Sequence, residues 1–188
     1  MTVLFRACLL SALTLIVAAC GDNAAQYMLE EPATQQRVRV RVATIEVREV
    51  TLPAYAAASE IMLQAEDGAL RSVPEAIWAD NPVRAVTLAL ARNLDAVSTA
   101  TAAAEPWPLE QPADVRVDVR IDRMVARADG QFQLAGQFAV AAPEGAVRET
   151  INRFDILHPL SADTPRAVAQ ATGAALQSLS QQIVARLR

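Results

Sequence analysis

Cys20 is the residue placed for covalent chemistry, because Val17-Ala18-Ala19-Cys20 sets small side chains directly before a thiol at the end of an apolar run. This pattern matches the bacterial lipobox, in which the cysteine is acylated and becomes the mature N-terminus. Upstream lie one early charge, Arg6, and the apolar stretch Leu9 to Val17, the order of a secretory signal. The stretch is too short to cross ~30 Å of hydrocarbon as a stable helix. The alternatives, an ordinary signal cleaved beside a cysteine or a buried free thiol, match fewer of these positions. Each acyl chain, palmitate for example, contributes ~0.8 kcal/mol per buried methylene, and stable anchoring needs more than one chain. Gly21 rather than aspartate follows the cysteine, which in enteric-type sorting implies the outer membrane; Asp22, one position later, is the feature that pulls the other way.

The remaining candidates carry less. His158 is the one histidine, set between Leu157 and Pro159, and it reads as a structural or exposed residue. No G-x-S-x-G elbow accompanies it, so a Ser-His-Asp hydrolase is not expected. The chain has no lysine and no G-x-G-x-x-G, so phosphates lack both the Walker lysine and the glycine cradle. Zinc needs histidine or cysteine in sets, and neither a metal nor any other cofactor is expected. Glu66-Asp67 could hold calcium through carboxylates, but the pair reads first as a solvated turn. Arg37, Arg39 and Arg41 line one face of the expected strand and could attract anionic lipid headgroups. The same layout at Arg116, Asp118, Arg120 and Asp122 favours cross-strand charge pairing instead, at ~0.2–1 kcal/mol per pair. Leu88 shares the polar side of its helix with Arg84, Arg92 and Asp95, an apolar position where a partner could dock.

Composition narrows the partners. Once Arg6 leaves with the signal, the 17 basic residues become 16 against 21 acids, a formal charge of −5, which disfavours nucleic acid. Cys8 lies in the signal and Cys20 carries lipid, so no disulfide supports the mature fold. The core must be aliphatic, since only 4% of residues are aromatic.

These residues need elements to hold them. Residues 1–19 form the signal, 20–36 a lipidated tether with a short strand at Tyr27-Met28-Leu29, and 37–188 one domain. Arg37 to Val50 alternates apolar and charged residues with a slip near Ala43-Thr44, predicting a strand with a bulge or a turn there. Ile61–Gln64 and Leu70–Val73 flank Asp67-Gly68 as a hairpin. Asp80-Asn81-Pro82 starts a helix whose Val83, Val86, Leu90, Leu94 and Val97 form a buried stripe to about Thr99. Glu105 to Pro112 is a rigid connector. Val115 to Ile121, Phe132 to Val140 and Val147 to Leu157 read as a three-strand meander. Thr164-Pro165 starts a last helix with a stripe at Val168, Ala171, Ala175, Leu179, Ile183 and Leu187, strong enough to outweigh the ~1 kcal/mol cost of Gly173. Strands and helices segregate. The expectation is an α+β fold, a mostly antiparallel or mixed sheet with two main helices packed on one face, preceded by the lipoprotein signal.

Several landmarks together resemble the ABC-type transport auxiliary lipoproteins of the paraquat-inducible (PqiC-like) family. They are Cys20, Tyr27-Met28-Leu29, Leu52-Pro53-Ala54-Tyr55, Trp78-Ala79-Asp80-Asn81-Pro82 and Ala91-Arg92-Asn93-Leu94, in this order, with the meander and a Leu-Ser-rich last helix behind them. Two departures stand out: Ala56-Ala57-Ala58-Ser59-Glu60 replaces a more polar segment, and Ile77 stands where arginine is common. The resemblance implies a non-enzymatic, periplasm-facing outer-membrane lipoprotein. Its partner would be an MCE-domain protein that spans the periplasm, in a system that moves lipids between membranes and supports envelope integrity. On this reading Leu88, Tyr55 and Trp78 are partner contacts, an exposed sheet edge is a docking surface, and self-association into a homo-oligomer is open. A lipoprotein chaperone or plug of an outer-membrane assembly machine, or an envelope enzyme, are the alternative functions.

Overall fold

The computed structural model describes residues 24–30 and 37–188. The signal and Cys20 lie outside the described residues.

The meander is the frame. β6 (Val115–Ala126), β7 (Gln131–Ala141) and β8 (Thr150–Pro159) run antiparallel. Asp129-Gly130 makes the first turn, where Gly130 takes φ +74°, a left-handed conformation that glycine adopts without a Cβ penalty. Val115, Val117, Val119 and Ile121 are buried at period two, and then the parity changes to Met124 and Ala126. The change is a bulge: Ile121 opposes Gly136 while Arg123 opposes Ala135, which leaves Asp122 as the extra residue. Gly136 sits under this bulge, where a Cβ would approach the Ile121 Cα to 2.9 Å.

The sheet branches at β6. Its first half pairs in parallel with β2 (Thr44–Val47), which pairs with β5 (Thr101–Ala104). Its far end pairs with β3 (Glu60–Gln64), followed by β4 (Leu70–Trp78) and then β1 (Ala25–Tyr27). The short helix α1 (Ala54–Ala57) lies in the segment that crosses from one branch to the other.

Two long helices close the core. α2 (Pro82–Val97) starts where the Asn81 side chain accepts the Arg84 N–H at 3.1 Å, and α3 (Pro165–Ala185) where Thr164 accepts the Ala167 N–H at 3.3 Å. Both begin with proline in the first turn, as expected. The helices pack on each other, α3 covers β7 and β8, and α2 covers β5. Every residue of the expected α3 stripe is buried, while on α2 Val83 is half-buried and the other four are fully enclosed. The expected α+β fold with a mixed sheet and two main helices is therefore the observed one.

Three local expectations need correction. Residues 37–43 form no regular strand; they run across the ends of the two helices. The Val38 N–H reaches the Val97 carbonyl and the Arg41 N–H the Leu187 carbonyl. The strand begins at Thr44, where the Asp114 carboxylate accepts the N–H groups of Ala43 and Thr44 at 2.6 and 3.1 Å. The expected short strand near Tyr27 lies two residues earlier, at Ala25–Tyr27, because these residues match Ala76, Ile77 and Trp78 of β4. Finally, β5 and α1 are additional elements, too short and alanine-rich to leave a period in the sequence.

Candidate functional site

α2 carries Arg84, Leu88 and Arg92 at four-residue spacing, which stacks them along one face of the helix. That face borders a cavity of about 590 Å³. Tyr27, Met28 and Leu29 form the wall opposite, Trp78 the end nearest β4, and Val86 with Met124 deepen the apolar lining. Asp80 and Arg84 form an ion pair at the rim. Each wall has a sequence cause. Tyr27 is held in register against Trp78 by the β1–β4 ladder, and the Ala79 N–H donates to the Tyr27 carbonyl at 2.8 Å. Met124 points inward because the Asp122 bulge shifts the parity of β6.

Leu88 is thus half-buried on the cavity wall rather than isolated on a polar face. Trp78 joins it there. Tyr55 does not: it sits on α1, where its hydroxyl accepts the Met124 N–H at 3.2 Å, so it supports the cavity from behind. Met28 is 77% exposed, a flexible thioether at the mouth. Met124 was hidden from sequence reasoning, since nothing in Arg123-Met124-Val125 marks the bulge. The motif Tyr27-Met28-Leu29 was the visible signal for the opposite wall.

The other candidates resolve into structure. His158 Nε2 lies 3.0 Å from Ser178 Oγ, tying β8 to α3. Asp67 accepts the Ala69 N–H at 3.0 Å and pairs with Arg71 at 2.5 Å, making the turn after β3 a solvated one. The Arg37 guanidinium donates to the Ser98 and Asp95 carbonyls at 2.7 and 3.1 Å, closing the C-terminal end of α2. The three arginines at 37, 39 and 41 therefore share no strand face. The ladder neighbour of Arg116 is Glu46 on β2, paired at 3.0 Å with the Glu46 side chain 8% exposed. Among the described residues no three His, Cys, Asp or Glu side chains converge on a point that could hold a metal. No helix there is long and apolar enough to cross a membrane.

A family model for the ABC-type transport auxiliary lipoprotein component matches residues 27–184. No curated protein matches the chain. Two solved structures share the fold. One, described only as an uncharacterized protein, superposes with a TM-score of 0.66 at 15% identity, covering 85% of this chain and 100% of its own. The other, a Xanthomonas campestris protein of the DUF330 family, gives 0.58 at 17% identity, covering 86% and 90%.

Proposed function

This chain belongs to the family of ABC-type transport auxiliary lipoprotein components, and from that premise we propose that it is a non-enzymatic subunit held on the periplasmic face of the outer membrane by acyl chains on Cys20. There it meets an MCE-domain protein reaching from the inner membrane and completes a path for lipid between the two membranes. The observation that carries this reading is the placement of the family-matched domain: its first strand starts only five residues after Cys20. At ~3.3–3.6 Å per residue that leash is no longer than about 18 Å. A domain so close to its bilayer is suited to receive a partner at the membrane surface and unsuited to roam the periplasm.

The docking surface is the edge of β8 that pairs with no strand among the described residues; Ile151 and Leu157 of this strand are exposed at 76% and 49%. An edge strand offers unpaired N–H and C=O groups to an added strand. A second copy of the chain would compete for the same edge.

The test is to tag the C-terminus, extract envelopes in mild detergent with and without Cys20→Ala, and identify the co-purifying proteins by mass spectrometry. Recovery of an MCE-domain protein with the acylated chain supports the proposal. Recovery of a β-barrel protein alone would replace it with an assembly role, and recovery of nothing would return the question to an envelope enzyme.

A further inference from the structure

We infer that the edge of β8 pairs with the β8 of a second copy of this chain, antiparallel and about a two-fold axis at Phe154. The inference goes beyond the docking reading above and needs no other protein; a partner that uses this edge would displace the second copy.

The edge is open to a neighbour. β8 is ten residues long and pairs with β7 without a register break. Among the described residues no strand lies on its other side, and no backbone group of Thr150 to His158 bonds outside that ladder. Folded proteins ordinarily shorten, bulge or cover an edge of this kind.

The side chains of the edge are complementary to themselves. Ile151, Arg153, Asp155 and Leu157 occupy the exposed face of the strand. In an antiparallel pair centred on Phe154, Arg153 lies opposite Asp155 of the second copy and Asp155 opposite its Arg153, while Ile151 and Leu157 meet on either side. No other register sets Arg153 against Asp155. A pair centred on Arg153 or on Asp155 would put like charges face to face. The charge match and the apolar match were free to disagree, and they select the same register. Opposite charges and apolar side chains directly across a ladder are favourable, and like charges are not. This reciprocity is what an isologous two-fold interface requires. Among the described residues Arg153 forms no ion pair. Asp155 accepts one hydrogen bond from Gln133 Nε2 at 2.8 Å, and a carboxylate has lone pairs left for a guanidinium. A strand from any protein could satisfy the backbone, but the side-chain pattern matches this strand's own reverse.

The helix layer permits the pairing. α3 lies over β7 and β8. With strands ~4.8 Å apart, a helix seated over that pair lies about 10 Å from its two-fold copy, near the usual helix packing distance.

The test uses the mature acylated chain, in which introduced cysteines are the free thiols; if intact mass shows Cys20 unmodified, Cys20→Ala restores that design. Copies carrying Ile151→Cys and differently tagged copies carrying Leu157→Cys are co-expressed, purified in mild detergent and oxidised. A disulfide should join the two tags. Ile151→Cys copies alone should not join, because in this register the two cysteines lie about 20 Å apart, beyond the reach of a disulfide. By native mass spectrometry, Arg153→Asp should weaken the dimer roughly tenfold, and adding Asp155→Arg to the same chain should restore it. Melting temperatures of these variants are measured alongside, so that a folding defect is not read as lost pairing. A monomer, equal cross-linking by Ile151→Cys alone, or a dimer indifferent to the charge reversal and its rescue would overturn the inference. Edge cysteines that cross-link only to another envelope protein would overturn it and leave the docking reading standing. Self-cross-links without any co-purifying MCE-domain protein sink the docking reading alone.

Discussion

Tyr27 and Trp78 are ladder partners on β1 and β4, and both face the same cavity. The earliest strand of the described chain is thereby fixed to the point from which α2 departs, three residues before Asn81 caps it. Anchor side, cavity and helix are one mechanical unit.

Trp78→Ala should cost about 2 kcal/mol of unfolding free energy, less than the ~3–5 kcal/mol of a fully buried aromatic because Trp78 is only half-buried. Urea denaturation measures this. A loss below about 0.5 kcal/mol, the usual range of an inconsequential surface change, would mean that the indole does not hold β1 in place.

Gly136→Ala should be among the most damaging single changes in the chain, at about 3 kcal/mol or more, since the added methyl meets the backbone of Arg120 and Ile121. Relief requires the β6–β7 ladder to part at the bulge. A Gly136→Ala variant that melted within a few degrees of the wild type would show that the bulge yields freely.

Glu46 and Arg116 offer a cycle of two substitutions. Glu46 is buried and Arg116 has 43% of its side chain exposed, so solvent screens part of the attraction and the coupling in a Glu46→Gln, Arg116→Ala cycle should be about 1 kcal/mol. It should shrink in high salt. A coupling near zero at low salt would leave the pair as a geometric coincidence of the ladder.

Asn81→Ala removes the side-chain acceptor of the Arg84 N–H and should cost about 1 kcal/mol, as should Thr164→Ala at the start of α3. The two caps lie on different helices and share no partner, so the double variant should lose the sum of both. Strong departure from additivity would imply that the helix starts unfold together.

Ile151→Asp with Leu157→Asp should leave thermal stability within about 0.5 kcal/mol, as expected of exposed positions, while lowering co-purification of the partner at least severalfold. Retained association would move the docking surface away from β8.

The sequence made the frame legible wherever a period was long enough to read. The meander and the two long helices announce themselves through alternation and through the stripes ending at Val97 and Leu187. Elements set by contacts distant in sequence did not. β5 is four residues of threonine and alanine held by β2, and residues 37–43 alternate like a strand yet follow the helix ends, because Asp114 starts the ladder only at Ala43-Thr44. The cavity was half visible. Leu88, Trp78 and Tyr27-Met28-Leu29 could be singled out by type, but Met124 enters through a bulge that no local signal marks, and Tyr55 is joined to it by a hydroxyl reaching across 69 positions to a backbone N–H.

The three-residue length of β1 has a consequence under tension. If Cys20 is fixed in a bilayer and a partner pulls on the body, the load enters through Ala25–Tyr27, the shortest of the described strands in the sheet. That ladder peels first. The leash from Cys20, no longer than about 18 Å while β1 is paired, then lengthens, and the Tyr27 wall of the cavity leaves with it. β1 would act as a fuse that lengthens the leash and uncovers the cavity together, readable in a force-extension trace as an early step before the body yields.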